Sequence, residues 1–131
     1  MKHSAILLFM LVIATIASAS QQTGTTGNKS CSHHPKVIGP CFKVRGRLSV
    51  YNGAPALRIW KIGTRRMLGI SEQRFAEPGY TNLPDDIRDK VDSDTELFGD
   101  FVVCPFTRQR AGDMQLVCVE SGTNLDARKR K

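Results

Sequence analysis

The residues with the clearest chemical potential in this 131-residue chain are its four cysteines, Cys31, Cys41, Cys104 and Cys118. Catalytic thiol pairs usually read C-x-x-C at the start of a helix, where the thiolate is stabilised. Here Cys104 and Cys118 are far apart in the chain and lie in apolar segments, beside Val103 and Val117. If the chain is exported, as its first residues indicate, an even number of cysteines favours structural disulfides over redox chemistry.

Four cysteines allow three disulfide pairings. Cys104 and Cys118 belong to two predicted strands joined by a polar loop, and a hairpin centred near Ala111 places them opposite each other on one face. In the chain-entropy model, a bond that closes this loop adds about 3 kcal/mol to the free energy of unfolding. The favoured pairing is Cys104 with Cys118, which leaves Cys31 with Cys41 by elimination.

Histidine, the usual general base and metal ligand, is confined to the amino-terminal part of the chain. His33 and His34 lie in the polar segment CSHHP, next to Cys31. These three side chains could bind a metal, but no second ligand pair completes a zinc spacing. We therefore predict no metal site and no cofactor.

Carboxylates are concentrated just before the predicted fourth strand. Asp92, Asp94 and Glu96 alternate as the ligands of calcium loops do. The EF-hand pattern fails because Leu97 occupies the required glycine position and Val103 the final glutamate position. We interpret the acidic stretch as a solvated surface.

A hydrolase that uses only carboxylates is the weakest functional hypothesis. It needs two carboxylates across a bound sugar, and Glu72 or Glu77 with an aspartate are the candidates. A domain of this size rarely has such a cleft. No catalytic residue is predicted.

Basic and aliphatic side chains alternate in the first predicted hairpin. In CFKVRGRLSVY, residues 41–51, the aliphatic side chains face one way and the basic ones the other, as in a half-buried strand. Asn52-Gly53 is a strong turn signal, and the register that it favours places Arg47 opposite Trp60 on the outer side. The full register expected across the turn is Val50 with Leu57, Ser49 with Arg58, Leu48 with Ile59 and Arg47 with Trp60.

A basic sheet face that carries an aromatic ring can hold an anionic chain by charge and stacking. The alternative is that Trp60 packs beneath the predicted helix or the 71–83 segment and leaves only a solvated basic rim. Both arrangements remain open at this stage. The residues that would bind a ligand in the first arrangement are Lys43, Arg45, Arg47, Arg58, Trp60, Arg65 and Arg66.

The elements that must position these residues are mostly strands. ALRIWKI and RMLGI supply the second and third strands, and two further strands are expected at about Leu97–Phe106 and Met114–Glu120. LPDDIRDKV, residues 83–91, has one narrow apolar stripe and reads as a helix between the third and fourth strands. The fold is predicted to be mainly β with one short helix. It is either a small five-stranded β-barrel of OB-like order, βββαββ, or a two-layer β-sandwich.

Both ends of the chain differ in composition from this domain. Residues 1–19 have the charge, apolar run and small residues of a cleavable signal peptide, with a retained membrane anchor as the alternative. Residues 20–40 read as a flexible polar linker, which includes the N-glycosylation pattern at Asn28. Residues 41–125 form the predicted disulfide-stapled β-domain and residues 126–131 a basic tail. We expect the protein to be secreted or periplasmic.

The charge distribution is asymmetric. Without the signal peptide the chain has 18 Lys and Arg residues against 12 Asp and Glu residues, but the stretch 85–100 carries seven acids and two bases. The first functional hypothesis is a non-enzymatic binding module for an anionic polymer or protein partner, with nucleic acid disfavoured outside the cytoplasm. The alternative is a structural or assembly protein of the cell envelope that self-associates through its opposed charge patches.

Overall fold

The computed structural model describes residues 28–131. The predicted signal peptide and the first part of the predicted linker lie outside these residues. The described chain contains a 3-10 turn at Cys31–His33, strands β1 (Phe42–Val50), β2 (Leu57–Lys61) and β3 (Met67–Ile70), a short helix α1 (Asp85–Arg88), and strands β4 (Thr95–Pro105) and β5 (Gln115–Lys129).

The five strands form one mixed sheet whose hydrogen-bonded neighbours close into a ring, in the order β1-β2-β3-β5-β4. β1 is antiparallel to both β2 and β4, and β2 is antiparallel to β3. β5 is antiparallel to β4 and parallel to β3. The prediction of a mainly β fold with five strands and one short helix is confirmed.

The alternation of side chains in the strands places one set of aliphatic residues in a common core inside the ring. Leu48, Ile59 and Leu68 lie at adjacent register positions of β1, β2 and β3, and all three are fully buried. Leu97 and Phe101 of β4 complete the same apolar cluster from the other side of β1. Because side chains alternate between the two faces of a strand, the neighbours of these residues point outward.

The predicted register of the first hairpin is confirmed. Across the β1–β2 pair, Arg47 lies opposite Trp60, Leu48 opposite Ile59, Ser49 opposite Arg58 and Val50 opposite Leu57. The buried face of β1 specifies this register, because a slip by one residue would move its aliphatic side chains from the core to solvent.

Two element boundaries differ from the prediction. The α-helical turn covers only residues 85–88, and β5 continues to Lys129 rather than ending near Glu120. The second half of β5 has few aliphatic residues, so its own pattern does not indicate a strand. It is held by pairing with β4, in which Glu96 lies opposite Arg128. Residues 126–129, predicted as the start of a basic tail, belong to this strand.

The predicted disulfide pairing is wrong. The bonds join Cys31 to Cys118 and Cys41 to Cys104. Cys104 and Cys118 do lie directly opposite each other in the β4–β5 register, as the hairpin argument requires. However, β4 also pairs with β1 on its other edge, which places Cys41 beside Cys104 as well. The two-sided pairing of β4 was not visible in the sequence.

The described part of the predicted linker, residues 28–40, lies against the ring. Cys31 and His34 are almost fully buried. The His34 ring contacts the rings of Tyr80 and Phe106 edge-on, at centroid distances of 4.8 Å, and its Nε2 lies 3.1 Å from the carbonyl oxygen of Phe75. The disulfide of Cys31 and this aromatic cluster fix the segment to the end of the ring.

Gly46 tests how closely β1 packs against the side chains of β2 and β4 inside the ring. A Cβ at this position would overlap Cγ2 of Ile59 and would lie 3.5 Å from Cδ2 of Phe101. We predict that Gly46→Ala lowers the free energy of unfolding by about 1–3 kcal/mol, because the core has no room for another carbon. Urea unfolding measures this change.

Gly39→Ala is the matched control. Its added methyl group would lie at an ordinary contact distance of 3.6 Å from Cγ of Pro105. Its effect should stay within about 0.5 kcal/mol. Equal stability of the Gly46 and Gly39 variants would contradict the close approach of β1 and β2.

Candidate functional site

One row of outward-facing side chains crosses four neighbouring strands. Register pairs connect Phe98 of β4 to Arg47 of β1, Arg47 to Trp60 of β2, and Trp60 to Met67 of β3. All four side chains are half-buried, while the core residues that alternate with them are fully buried. The row is therefore part of the outer surface of the ring.

Guanidinium groups lie over the aromatic rings of this row. Cζ of Arg47 is 5.0 Å from the centroid of the Trp60 ring, and Cζ of Arg128 is 4.5 Å from that of Phe98. Both distances are in the range of cation–π contacts. The indole N–H of Trp60 donates to the carbonyl oxygen of Thr64 over 2.7 Å, which fixes the ring against the β2–β3 turn.

Tyr51, at the end of β1, holds a second group of arginines. Arg58 and Arg130 place their Cζ atoms 5.1 and 5.4 Å from the centroid of its ring. Nη2 of Arg47 donates to the Tyr51 hydroxyl over 3.3 Å. We call this surface the arginine–aromatic face; it consists of Arg47, Tyr51, Arg58, Trp60, Phe98, Arg128 and Arg130.

Glu96 is the carboxylate that holds this face together. It forms ion pairs with Nε of Arg47 at 3.7 Å and Nε of Arg130 at 3.2 Å, and it accepts a hydrogen bond from Oγ of Ser49 at 3.3 Å. Its side chain is 14% exposed. Ser49, predicted on the outer side of β1, is fully buried beneath these groups.

A second carboxylate compensates the other end of β1. Arg45 lies opposite Asp100 in the β1–β4 register, and its Nη1 is 3.6 Å from Oδ2 of Asp100. A hydrogen bond from Nδ2 of Asn124, and secondarily the charge of Arg45, hold the pKa of Asp100 below its ordinary value. The acidic stretch thus supplies partners to the basic strand within one molecule.

The structure brings together only part of the predicted site. Arg47, Arg58 and Trp60 belong to the arginine–aromatic face. Lys43 and Arg45 lie farther along β1, on the same outer side, and both are exposed. Arg65 and Arg66 lie in the β2–β3 turn, beside a separate cleft.

Sequence reasoning missed Tyr51, Phe98, Arg128 and Arg130. The last two belong to the segment that was assigned to a tail. Arg128 could have been placed on the face only if β5 had been predicted to continue beyond its aliphatic residues. Phe98 alternates with Leu97 and Gly99 in β4, so its outward direction could have been predicted, but not its neighbour Arg47.

The carboxylates considered for hydrolysis are engaged by basic side chains. Glu72 and Glu77 line one cleft of about 420 Å³, but Glu72 pairs with Arg88 and Glu77 with Lys36. Of the residues weighed as metal ligands, Cys31 is in a disulfide. Between residues 28 and 131 no group of three or more His, Cys, Asp or Glu side chains is arranged to hold a metal ion.

Comparisons with known proteins return no match: no protein family, no curated protein and no solved structure is significantly similar to this chain. Within the described part of the chain, no helix has the length and apolar character needed to cross a membrane. The arrangement of the side chains themselves must therefore carry the functional argument.

We predict that Glu96→Gln lowers the free energy of unfolding by about 1–3 kcal/mol, because Arg47 and Arg130 lose a charged acceptor that is mostly shielded from water. Asp126→Asn is the matched control, since the pair of Asp126 with Arg128 is half exposed. It should cost less than about 1 kcal/mol. Thermal and urea unfolding of both variants would refute the role of Glu96 if they gave equal losses.

We predict that Asn124→Gly raises the pKa of Asp100 toward its ordinary value of 3.8, because the largest cause of the lowered pKa is the Asn124 amide. Asn124 has φ 51°, which glycine adopts without strain. A lowered pKa stabilises the fold above the ordinary value, and this stabilisation is lost as pH falls through the folded value. The variant should therefore lose less stability between neutral pH and pH values below the folded pKa.

Carboxyl ¹³C NMR titration measures this pKa directly. Asp92 is an internal reference, because its pKa is lowered chiefly by the backbone N–H of Asp94. If Asn124→Gly leaves the pKa of Asp100 as low as in the wild type, and the pKa of Asp92 is also unchanged, the assigned cause is contradicted.

Proposed function

We propose that this protein is an exported, non-enzymatic module that binds an anionic polymer or protein partner through its arginine–aromatic face. The observation that carries the proposal is the position of four guanidinium groups, each with its Cζ within 5.4 Å of the centroid of one of three aromatic rings at the surface. The proposal retains Arg47, Arg58 and Trp60 from the sequence-based site and adds the side chains that β4 and β5 bring to them.

Contact with the aromatic rings prepares the arginines for anion recognition. A guanidinium held against a ring loses side-chain freedom before a ligand arrives, so less conformational entropy is lost on binding. Each guanidinium carries five N–H donors, and those that are not used within the molecule can form hydrogen bonds with an oxyanion. Arg58, for example, donates from Nε to the carbonyl oxygen of Pro55 and from Nη2 to that of Asn52. The four guanidinium groups outnumber the two carboxylates, Glu96 and Asp126, that pair with them, so the face keeps a positive charge.

We also propose that the ring of strands is an OB-type barrel. The order β1-β2-β3-β5-β4, with the helix between β3 and β4, supports this assignment. Barrels of this type bind oligonucleotides and oligosaccharides on the face of strands 2 and 3 and on the loop between strands 1 and 2. The arginine–aromatic face shares β2 and Tyr51 of the β1–β2 loop with that surface. Two disulfides between distant segments support secretion or a periplasmic location, since such bonds persist in oxidising compartments.

Self-association through opposed charges is the alternative function. Asp85, Asp86 and Asp89 of the helical turn are exposed and could meet the basic face of another copy. Two acids of the same stretch, Glu96 and Asp100, are already paired within the molecule, which reduces the charge available to a second copy. Sedimentation at low and high salt separates the two functions, because assembly requires concentration-dependent oligomers.

We predict that Arg58→Gln with Arg128→Gln weakens retention on immobilised heparin at least about tenfold in apparent affinity at low salt, since two of the four guanidinium groups of the face are removed. Trp60→Ala should weaken retention less, because Arg47 keeps its charge but loses its support. The salt concentration at elution and a titration in solution measure both effects.

Lys90→Gln with Lys131→Gln is the control, because it removes the same charge from exposed positions outside the face. It should change the affinity by less than about twofold at moderate salt. If the control variant elutes as early as the arginine variant, binding follows net charge alone and the proposed face has no special role. Circular dichroism and unfolding curves establish that each variant is folded.

A further inference from the structure

A second group of arginines lies beyond the row, where the β2–β3 turn meets the loop between β4 and β5. Arg65, Arg66 and Arg110 line a cleft of about 460 Å³, and Arg108 and Arg110 line an adjoining cleft of about 560 Å³. Asp113 is the one carboxylate that lines either cleft. Arg74 also lines the second cleft, where its Cζ lies 5.5 Å from the centroid of the Phe75 ring. We call the other four side chains, Arg65, Arg66, Arg108 and Arg110, the arginine cleft.

The arginine cleft differs from the arginine–aromatic face in how its charges are compensated. Every arginine of the face lies over an aromatic ring, and three of them pair with Glu96 or Asp126. In residues 28–131, by contrast, no guanidinium of the cleft forms an ion pair or a hydrogen bond. Like charges gathered without partners repel one another, and an anion in the cleft would remove this cost.

The two surfaces are continuous. Met67 lies opposite Trp60 at one end of the row and also lines the cleft with Arg65, Arg66 and Arg110. From Phe98 to Met67 the row spans three strand separations, about 15 Å, before the cleft begins. A ligand long enough to cross the row therefore has a charged site to enter at its end.

We infer that the ligand is a linear anionic polysaccharide that crosses the row and places its next charged groups in the arginine cleft. This inference rests on the proposed function, because it names the class and the path of the same ligand. The charged groups are sulfate or carboxylate, the oxyanions that guanidinium groups bind through paired hydrogen bonds. Engagement of the cleft is intramolecular once the row is occupied, so it adds affinity without a second association cost.

The surface favours a polysaccharide over a nucleic acid or a protein. Proteins that bind single-stranded nucleic acids stack the bases on aromatic rings, whereas each of the three rings of the face has a guanidinium Cζ within 5.1 Å of its centroid. Protein interfaces have an apolar centre. Among the described residues the exposed large apolar side chains are Ile38 and Ile62, which is too little for such a centre.

Calorimetry with heparin-derived tetrasaccharide and dodecasaccharide tests the inference on the oxidised protein. The tetrasaccharide is about as long as the row alone. We expect the dodecasaccharide to bind at least about tenfold more tightly. Arg108→Gln with Arg110→Gln should remove most of this gain and change the tetrasaccharide affinity by less than about twofold, since both side chains lie outside the row.

A longer chain also offers more overlapping positions on one site, and this statistical gain is retained in the Arg108/Arg110 variant. The comparison of variant with wild type therefore isolates the cleft. Lys90→Gln with Lys131→Gln again controls for the loss of two charges and should keep the full gain. Hyaluronan oligosaccharides of the same lengths, which carry carboxylate alone, separate that group from sulfate.

The outcomes distinguish the inference from the proposed function. Equal affinity of the two lengths, or a length gain that the Arg108/Arg110 variant keeps in full, overturns the path into the cleft and leaves the proposed function standing. Tighter binding of oligo-dT or polyglutamate overturns the polysaccharide class. If no polyanion binds, both the proposed function and the inference fail.

Discussion

The antiparallel pairing of β1 with β4 is the constraint on which the rest of the structure depends. It closes the ring of strands, because β1 is already paired with β2 on its other edge. It aligns Leu48 with Leu97 inside the ring, and it sets Arg45 beside Asp100 and Arg47 beside Phe98 outside it. The same pairing brings Cys41 to Cys104. One contact between distant parts of the chain therefore determines the core, the charge pairs and a disulfide.

The sequence predicted the local features of the fold but not those that depend on the pairing of β1 with β4. The register of the β1–β2 hairpin was predicted correctly because a short turn and an alternating strand determine it. The partner of β4 is separated from it by about half of the described chain, and nothing in the aliphatic pattern of β4 selects β1. The disulfide error follows directly, since Cys104 has a cysteine on each side once both pairings exist.

The candidate site shows the same division. The outward direction of Arg47 and Trp60 follows from alternation, and so does their contact. The contact of Arg128 with the Phe98 ring required β5 to continue to Lys129, and that extension depends on backbone pairing with β4 rather than on apolar residues of its own. Arginines that read as a frayed tail are consequently part of an ordered surface. Charge patterning by itself could not distinguish these two states.

The disulfides also favour the pairing of distant strands, because they lower the conformational entropy of the unfolded chain. They join residues separated by 87 and 63 positions, and in the chain-entropy model each closure contributes about 4–5 kcal/mol. A ring closed by distant strands loses much conformational entropy on folding, and a domain of this size has a small core to offset it. The bonds end at Cys104 and Cys118, which are opposite each other in the β4–β5 pair. They therefore fix the amino-terminal segment and the start of β1 to the two strands that complete the ring.

The two basic surfaces have different energetic consequences for the folded protein. In the arginine–aromatic face, rings and carboxylates compensate the guanidinium groups, so the face adds to the stability of the β1–β4 pairing. In the arginine cleft the four guanidinium groups form no ion pair among the described residues, and Asp113 is the one carboxylate that lines it, so they add no comparable stabilisation to the fold. The arginines without ion pairs lie in the β2–β3 turn and in the loop between β4 and β5, at one end of the row. In the proposed binding mode, this asymmetry would give a bound chain a direction, with the row fixing its position and the cleft providing the additional electrostatic gain.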